Sequence, residues 1–243
     1  MRGKTVGLTI HYTLSAREDI SGSVVRELVR RTAQFARKIG CVEVGGLLRA
    51  ERNPDFAALF FRVGKPKDQC YAAAAPECGW LARVWPGAGC ETATFGLCRY
   101  PRQIVFCGGS VPTGFTGGWQ FRGFCKTQYA GKHGWENLLR CHRSVISLLD
   151  FWRGLGVRVR VNDEGGYWKT RSVAQLRDEV RRYDGLVAAM SGMFKDASAD
   201  HGGGLSVQSP VFDYENFERL EHEGWQEFGG RLERLREDVR EAK

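Results

Sequence analysis

WQFRGFCKTQY, residues Trp119 to Tyr129, has the two-residue period of a β-strand. Phe124, Lys126 and Gln128 fall on one face, and Cys125, Thr127 and Tyr129 on the other. Two earlier segments read the same way: TATFGLCRY (Thr92 to Tyr100) and QIVFCG (Gln103 to Gly108). Pro101 and Arg102 separate the first from the second, and the Gly-rich GSVPTGFTGG separates the second from WQFRGFCKTQY. Three consecutive strands joined by turn-forming residues predict an antiparallel meander.

Further out on the N-terminal side, TVGLTIHYTL alternates Val6, Leu8, Ile10 and Tyr12 with small or polar residues, the pattern of a half-buried strand. In VVRELVRRTAQFARKIG, apolar or small positions recur every three or four residues at Val25, Leu28, Thr32, Phe35 and Ile39, and Gly40 supplies a helix stop. VEVGGLLRA is expected to be the next strand, which makes a crossover unit or half of a ferredoxin-like fold. FAALFFRVG is a further strand. Residues 65–91 have no clear period, and a short helix is expected around Glu77 to Val84.

On the C-terminal side a long helix is predicted from about Gly134 to Arg153, with Gly154 and Gly156 ending it. Next comes a strand at VRVRV, a turn at NDEGG and a short paired strand at YWK. Ser172-Val173-Ala174-Gln175 has the form of a capping box at the start of another helix. KDASADHGGGLSVQSP has a linker's composition, and an amphipathic segment from Tyr214 to Glu241 carries Phe217, Leu220, Trp225, Phe228, Leu232, Leu235 and Val239, bent or broken at Gly229-Gly230. The expected fold is therefore α+β: a mostly antiparallel sheet, two or three helices packed on one face, and a C-terminal amphipathic helix. The expected organisation is one domain over residues 1–200, with a linker and docked C-terminal helix over 201–243.

The 243 residues carry a formal net charge of +8 and a pI near 9.2. That surplus points to an anionic partner, a nucleic acid or a phosphorylated or carboxylated ligand. The first residues lack a secretory signal's apolar core, and no run reaches the roughly 18 apolar residues of a membrane span. A cytoplasmic location and no membrane partner are expected, with the eight cysteines as free thiols. No C-x-x-C pair occurs, the Gly-rich loop lacks the Gly-Lys-Ser/Thr end of a phosphate loop, and neither a metal nor a cofactor is expected.

Two strands each set a thiol beside a cation, Cys98-Arg99 and Cys125-Lys126. Alternation puts thiol and cation on opposite faces, so a thiol-lined core face and a cationic edge are expected. His142 lies on the apolar stripe Leu138, His142, Val145, Leu149 and Trp152, either as a satisfied core residue or as the lining of a pocket. In the second case Lys126, Tyr129 and His142 form an acid–base cluster suited to proton transfer, with Arg99 and Gln128 as ligand contacts. The first helix adds a basic face of Arg26, Arg30, Arg31, Arg37 and Lys38, from which Arg30 and Arg37 can meet phosphates. Three functions stay open: binding of an anionic partner, an enzyme acting on a small anionic substrate, and a structural subunit docking a protein partner through its C-terminal helix.

Overall fold

The computed structural model describes residues 8–64, 70–199 and 217–241. Its strands are β1 (Thr9–Ala16), β2 (Glu43–Val44), β3 (Leu48–Arg49), β4 (Leu59–Val63), β5 (Cys70–Ala74), β6 (Cys78–Trp85), β7 (Ala93–Arg99), β8 (Gln103–Phe106), β9 (Gly109–Pro112), β10 (Trp119–Lys126) and β11 (Arg158–Asp163). The helices are α1 (Gly22–Lys38), α2 (Trp135–Gly154), α3 (Tyr167–Thr170), α4 (Val173–Ala199) and α5 (Phe217–Glu241). The fold is α+β with a mostly antiparallel sheet and a C-terminal helix. The described residues form two compact units, one over 9–162 and one made of Leu8 and the described residues from Asp163 onward. Of the expected linker KDASADHGGGLSVQSP, residues 195–199 belong to α4 and the rest lies outside the described residues.

In the first unit seven strands make one sheet, ordered β11-β1-β10-β7-β6-β2, with β3 also paired to β6. Every ladder from β1 to β2 is antiparallel, so these two strands point the same way four places apart. The strand–helix–strand opening is thus a crossover that spans the sheet instead of joining neighbours. Ser21 starts α1 by accepting from the Val24 N–H, and Arg37 and Lys38 in the last turn suit the negative end of the helix dipole.

One sheet face is the core. Ile10, Tyr12 and Leu14 of β1 stand beside Phe121 and Cys125 of β10, all buried. α1 packs against β6 and β7, and α2 packs against α1 through stacked rings of Phe35 and Phe151, 4.4 Å between centroids and 7° between planes. That stack turns α1 about its axis. The residues it buries are Val25, Val29, Thr32, Ala33 and Ala36, while Leu28 and Phe35 are only half-buried. The expected stripe is shifted because small alanines let the helix approach the sheet and the bulky ring is used sideways.

Other expectations change for local reasons. VEVGGLLRA yields two two-residue strands, β2 and β3, on either side of its glycines. Residues 77–84 are not a helix but β6, buried on both faces and therefore without clean alternation. QIVFCG leaves the meander. Cys107 and Gly108 both have positive φ, 50° and 78°, which makes a tight two-residue hairpin turn, so β8 pairs with β9 and β7 pairs directly with β10. The YWK segment is a helical turn, α3, whose Trp168 N–H is taken by the Asp163 carboxylate.

In the second unit α4 and α5 pack along each other. Ser172 accepts from the Gln175 N–H as its capping role requires. Gly229-Gly230 does not interrupt α5, which is continuous. Phe228 is buried against Ala189 and Met193, and Trp225 packs on the same cluster. No helix of the described residues is long and apolar enough to cross a membrane.

Candidate functional site

The structure brings Lys126 and Tyr129 together and sets Gln128, His142 and Arg99 each among partners of its own. β10 ends at Lys126, and Gln128 begins a 3-10 turn (Gln128–His133) in which it is buried, so Gln128 no longer shares a strand face with Lys126. The same turn brings Tyr129 back onto Lys126, whose Nζ donates to the phenol oxygen at 3.3 Å and lies 4.8 Å from the ring centre. His142 is 0% exposed, on the core stripe of α2, with its Nδ1 3.0 Å from Thr127 Oγ1. Arg99 stacks on Trp119 at 4.7 Å and donates to the Glu18 carbonyl. Arg30 forms a two-pronged pair with Glu27, and Arg37 donates to the Val44 carbonyl. Arg26 and Arg31 lie over the rings of Trp80 and Phe151. The basic face of α1 is thus largely engaged in holding its own helix against its neighbours.

The paired thiols also have separate places. Cys125 is on the helix-side face and donates to the Glu91 carbonyl. Cys98 is opposite Gln120, on the other face, where it lies against Gly79. Both are buried, but no single thiol face exists. Burial pushes the Cys98 thiol up to about 12 and raises Cys125 further. Cys141 moves the other way, to about 7, held down by a hydrogen bond from Cys90 and by the Arg140 guanidinium. Among the described residues no group of three or more His, Cys, Asp or Glu is placed to hold a metal ion.

A different site emerges on the sheet face away from α1. Toward β6 and β7 this face is covered by the segment that includes the 3-10 turns Ala50–Arg52 and Pro54–Phe56. Tyr100 reaches the Ala57 carbonyl, and Phe115 packs on Tyr100 and Phe61. Toward β1, β10 and β11 it carries exposed side chains. Phe124 is 57% exposed and its ring lies 6.2 Å from that of His11 on the neighbouring strand. Arg122 and Arg160 are exposed beside them. A cavity of about 400 Å³ runs between these residues, Thr13 and Asn162, and no carboxylate lines it.

Phe124 is shared with a second, larger cleft of about 720 Å³, walled by Phe56, Phe60, Arg83, Thr94 and Arg122. Phe56 is 39% exposed and Phe60 68%. Isolated exposed apolar side chains are ordinary on protein surfaces. Three rings around one hollow, bordered by Arg83 and Arg122 and by the carboxylates of Asp55 and Glu91, form a patch of a different kind. His142, Lys126 and Tyr129 line neither cavity.

Phe124 was visible in the sequence as part of a strand face, but Arg160 was not singled out and His11 was not linked to that face. The available signal was alternation: His11 sits between the core residues Ile10 and Tyr12, and Arg160 between Val159 and Val161, so both had to point away from the apolar side. Comparison of the chain with protein-family models, with curated proteins and with solved structures finds no match.

Proposed function

We propose that the chain binds single-stranded nucleic acid across the open face of its sheet, with Phe124 as a stacking platform and Arg122, Arg160 and His11 as the groups that meet phosphates. One observation carries this reading: an exposed phenyl ring stands on a strand between cations, over a cavity with no carboxylate in its lining. Base–aromatic stacking needs an accessible π-face, and tracking a backbone needs positive charge without competing acids. The +8 net charge supports the same partner class. A carboxylated metabolite would use the arginines but would leave the exposed ring without a purpose.

The test is fluorescence anisotropy of the full chain with labelled oligonucleotides of about 12 nucleotides, within the site sizes such surfaces occupy. Log affinity is expected to fall linearly with log salt between about 50 and 200 mM, with a slope of roughly −1.4 if Arg122 and Arg160 each neutralise a phosphate. Phe124→Ala is expected to cost about 1–3 kcal/mol of binding while leaving the melting temperature unchanged, because the ring is exposed. Affinity that ignores both salt and Phe124 would refute the proposal.

A further inference from the structure

We infer that the cleft beside Phe124 takes one unstacked guanine base of the bound strand, recognised by Arg83. The inference rests on the nucleic-acid reading above and names the base that this part of the surface selects. The cleft's volume, about 720 Å³, lies in the range of pockets that enclose small ligands. Its walls are aromatic on two sides. Phe56 and Phe60 come from the covering segment and Phe124 from β10, so a flat ring entering the cleft meets π-faces.

Arg83 supplies the specificity. It stands on β6 across from Thr94 of β7, and its guanidinium carbon lies 4.2 Å from the centre of the Phe56 ring. Contact with that ring holds the guanidinium at the wall of the cleft. The buried Nε of Arg83 has no hydrogen-bond partner among the described residues. That donor is out of a ligand's reach, and the terminal Nη groups, which make no hydrogen bond among the described residues either, are the donors left for one. Guanine offers two adjacent acceptors, O6 and N7, which match an arginine fork.

The remaining charges distinguish base from phosphate. Asp55 and Glu91 line this cleft, whereas no carboxylate lines the neighbouring cavity on the open face. Two carboxylates disfavour a phosphate inside the cleft and can accept from the N1–H and amino group of guanine. The surface therefore divides its work: phosphates pass over Arg122 and Arg160, and a base turns in toward Arg83.

The experiment uses the full chain and four labelled U-rich single strands of about 12 nucleotides, one all-U and the others with a single central G, A or C, and the matching DNA series. The G-containing strand is expected to bind about tenfold more tightly than the others in at least one series. Arg83→Lys, which keeps the cation but loses the fork, is expected to bring that preference within about twofold while the all-U strand binds as before. Arg83→Met, which keeps the packing stem, provides the same comparison without the charge, and circular dichroism confirms that each variant is folded. All-U binding with no preference for G, preference for another base, or a G preference that survives both variants would overturn the guanine pocket and leave the open-face reading intact. Failure of every strand to bind would overturn the open-face reading and the pocket with it.

Discussion

Gly123 and Phe124 are adjacent on β10 and face opposite ways, and their demands differ accordingly. Behind Gly123 lies Tyr12, the cross-strand partner, whose ring fills the space a side chain would take; a Cβ at position 123 would sit 2.6 Å from the phenol carbon. Tyr12 cannot easily withdraw. Its hydroxyl donates to the Thr94 carbonyl at 2.6 Å and its ring stacks on Phe95, 5.2 Å away and tilted by 11°. The aromatic ring thus covers a strand glycine and ties β1 across β10 to β7. Gly123→Ala is expected to destabilise the chain by about 1–3 kcal/mol through overpacking, read as a lower urea midpoint. Phe124→Ala, one residue along, is expected to move that midpoint by less than about 0.5 kcal/mol. Equal effects at the two positions would contradict the assignment of faces.

At the scale of elements, α4 and α5 are held close by a pair of glycines. A side chain on Gly224 would overlap the Gly185 carbonyl oxygen, so the two helix backbones meet there with nothing between them. Gly230, six residues further along α5, has open space at its Cβ position and no unusual backbone angle. Gly224→Ala is expected to pry the helices apart and lower helical signal and melting temperature. Gly230→Ala is expected to stabilise α5 by about 0.5–1 kcal/mol, because alanine loses less backbone freedom in a helix. Loss of stability at both positions would show that the Gly224–Gly185 contact is not what sets the helix spacing. The sequence marked Gly229-Gly230 as the break and passed over Gly224, since a glycine that permits close packing and one that interrupts a helix look alike in one dimension. The same limit explains the rest. Strands with one solvent face, such as β1, β10 and β11, were legible from alternation. β6, buried on both sides, was not, and neither was the cleft, whose walls come from four stretches of chain, around residues 55–60, 83, 90–94 and 121–124, that meet only after folding. Lys126 and Tyr129 were paired correctly because they are three residues apart, whereas grouping them with His142 required knowing which way the α2 stripe faces.

Over the whole molecule, the sheet buries acidic protons on several strands at once. Tyr12 of β1, Cys98 of β7, Cys125 of β10 and the adjoining Tyr100 all have their ionisation pushed upward, in each case first by burial. For Cys98 the shift is from 9.0 to about 12. The sign follows from proton counting. Above pH 9 the unfolded thiol loses its proton while the folded one keeps it, so the unfolded state is favoured progressively as pH rises toward 12. Each pH unit in that window is worth about 1.4 kcal/mol for one such group, and the tyrosines add to the loss above about pH 10. Below about pH 8 these four groups are almost fully protonated in both states and contribute little pH dependence. Cys141, held below its ordinary value, works the opposite way and adds stability as pH rises from about 7 to 9, so the chain is expected to keep or raise its melting temperature up to about pH 8.5 and to lose it steeply by about pH 10.5, measured under reducing conditions so that thiol oxidation does not intrude. Cys98→Ala lowers stability at neutral pH by leaving a small void against Gly79, but its alkaline limb is expected to be shallower by up to about 1.4 kcal/mol per pH unit. Parallel alkaline limbs for the two proteins would show that the Cys98 thiol ionises in the fold as readily as in the open chain.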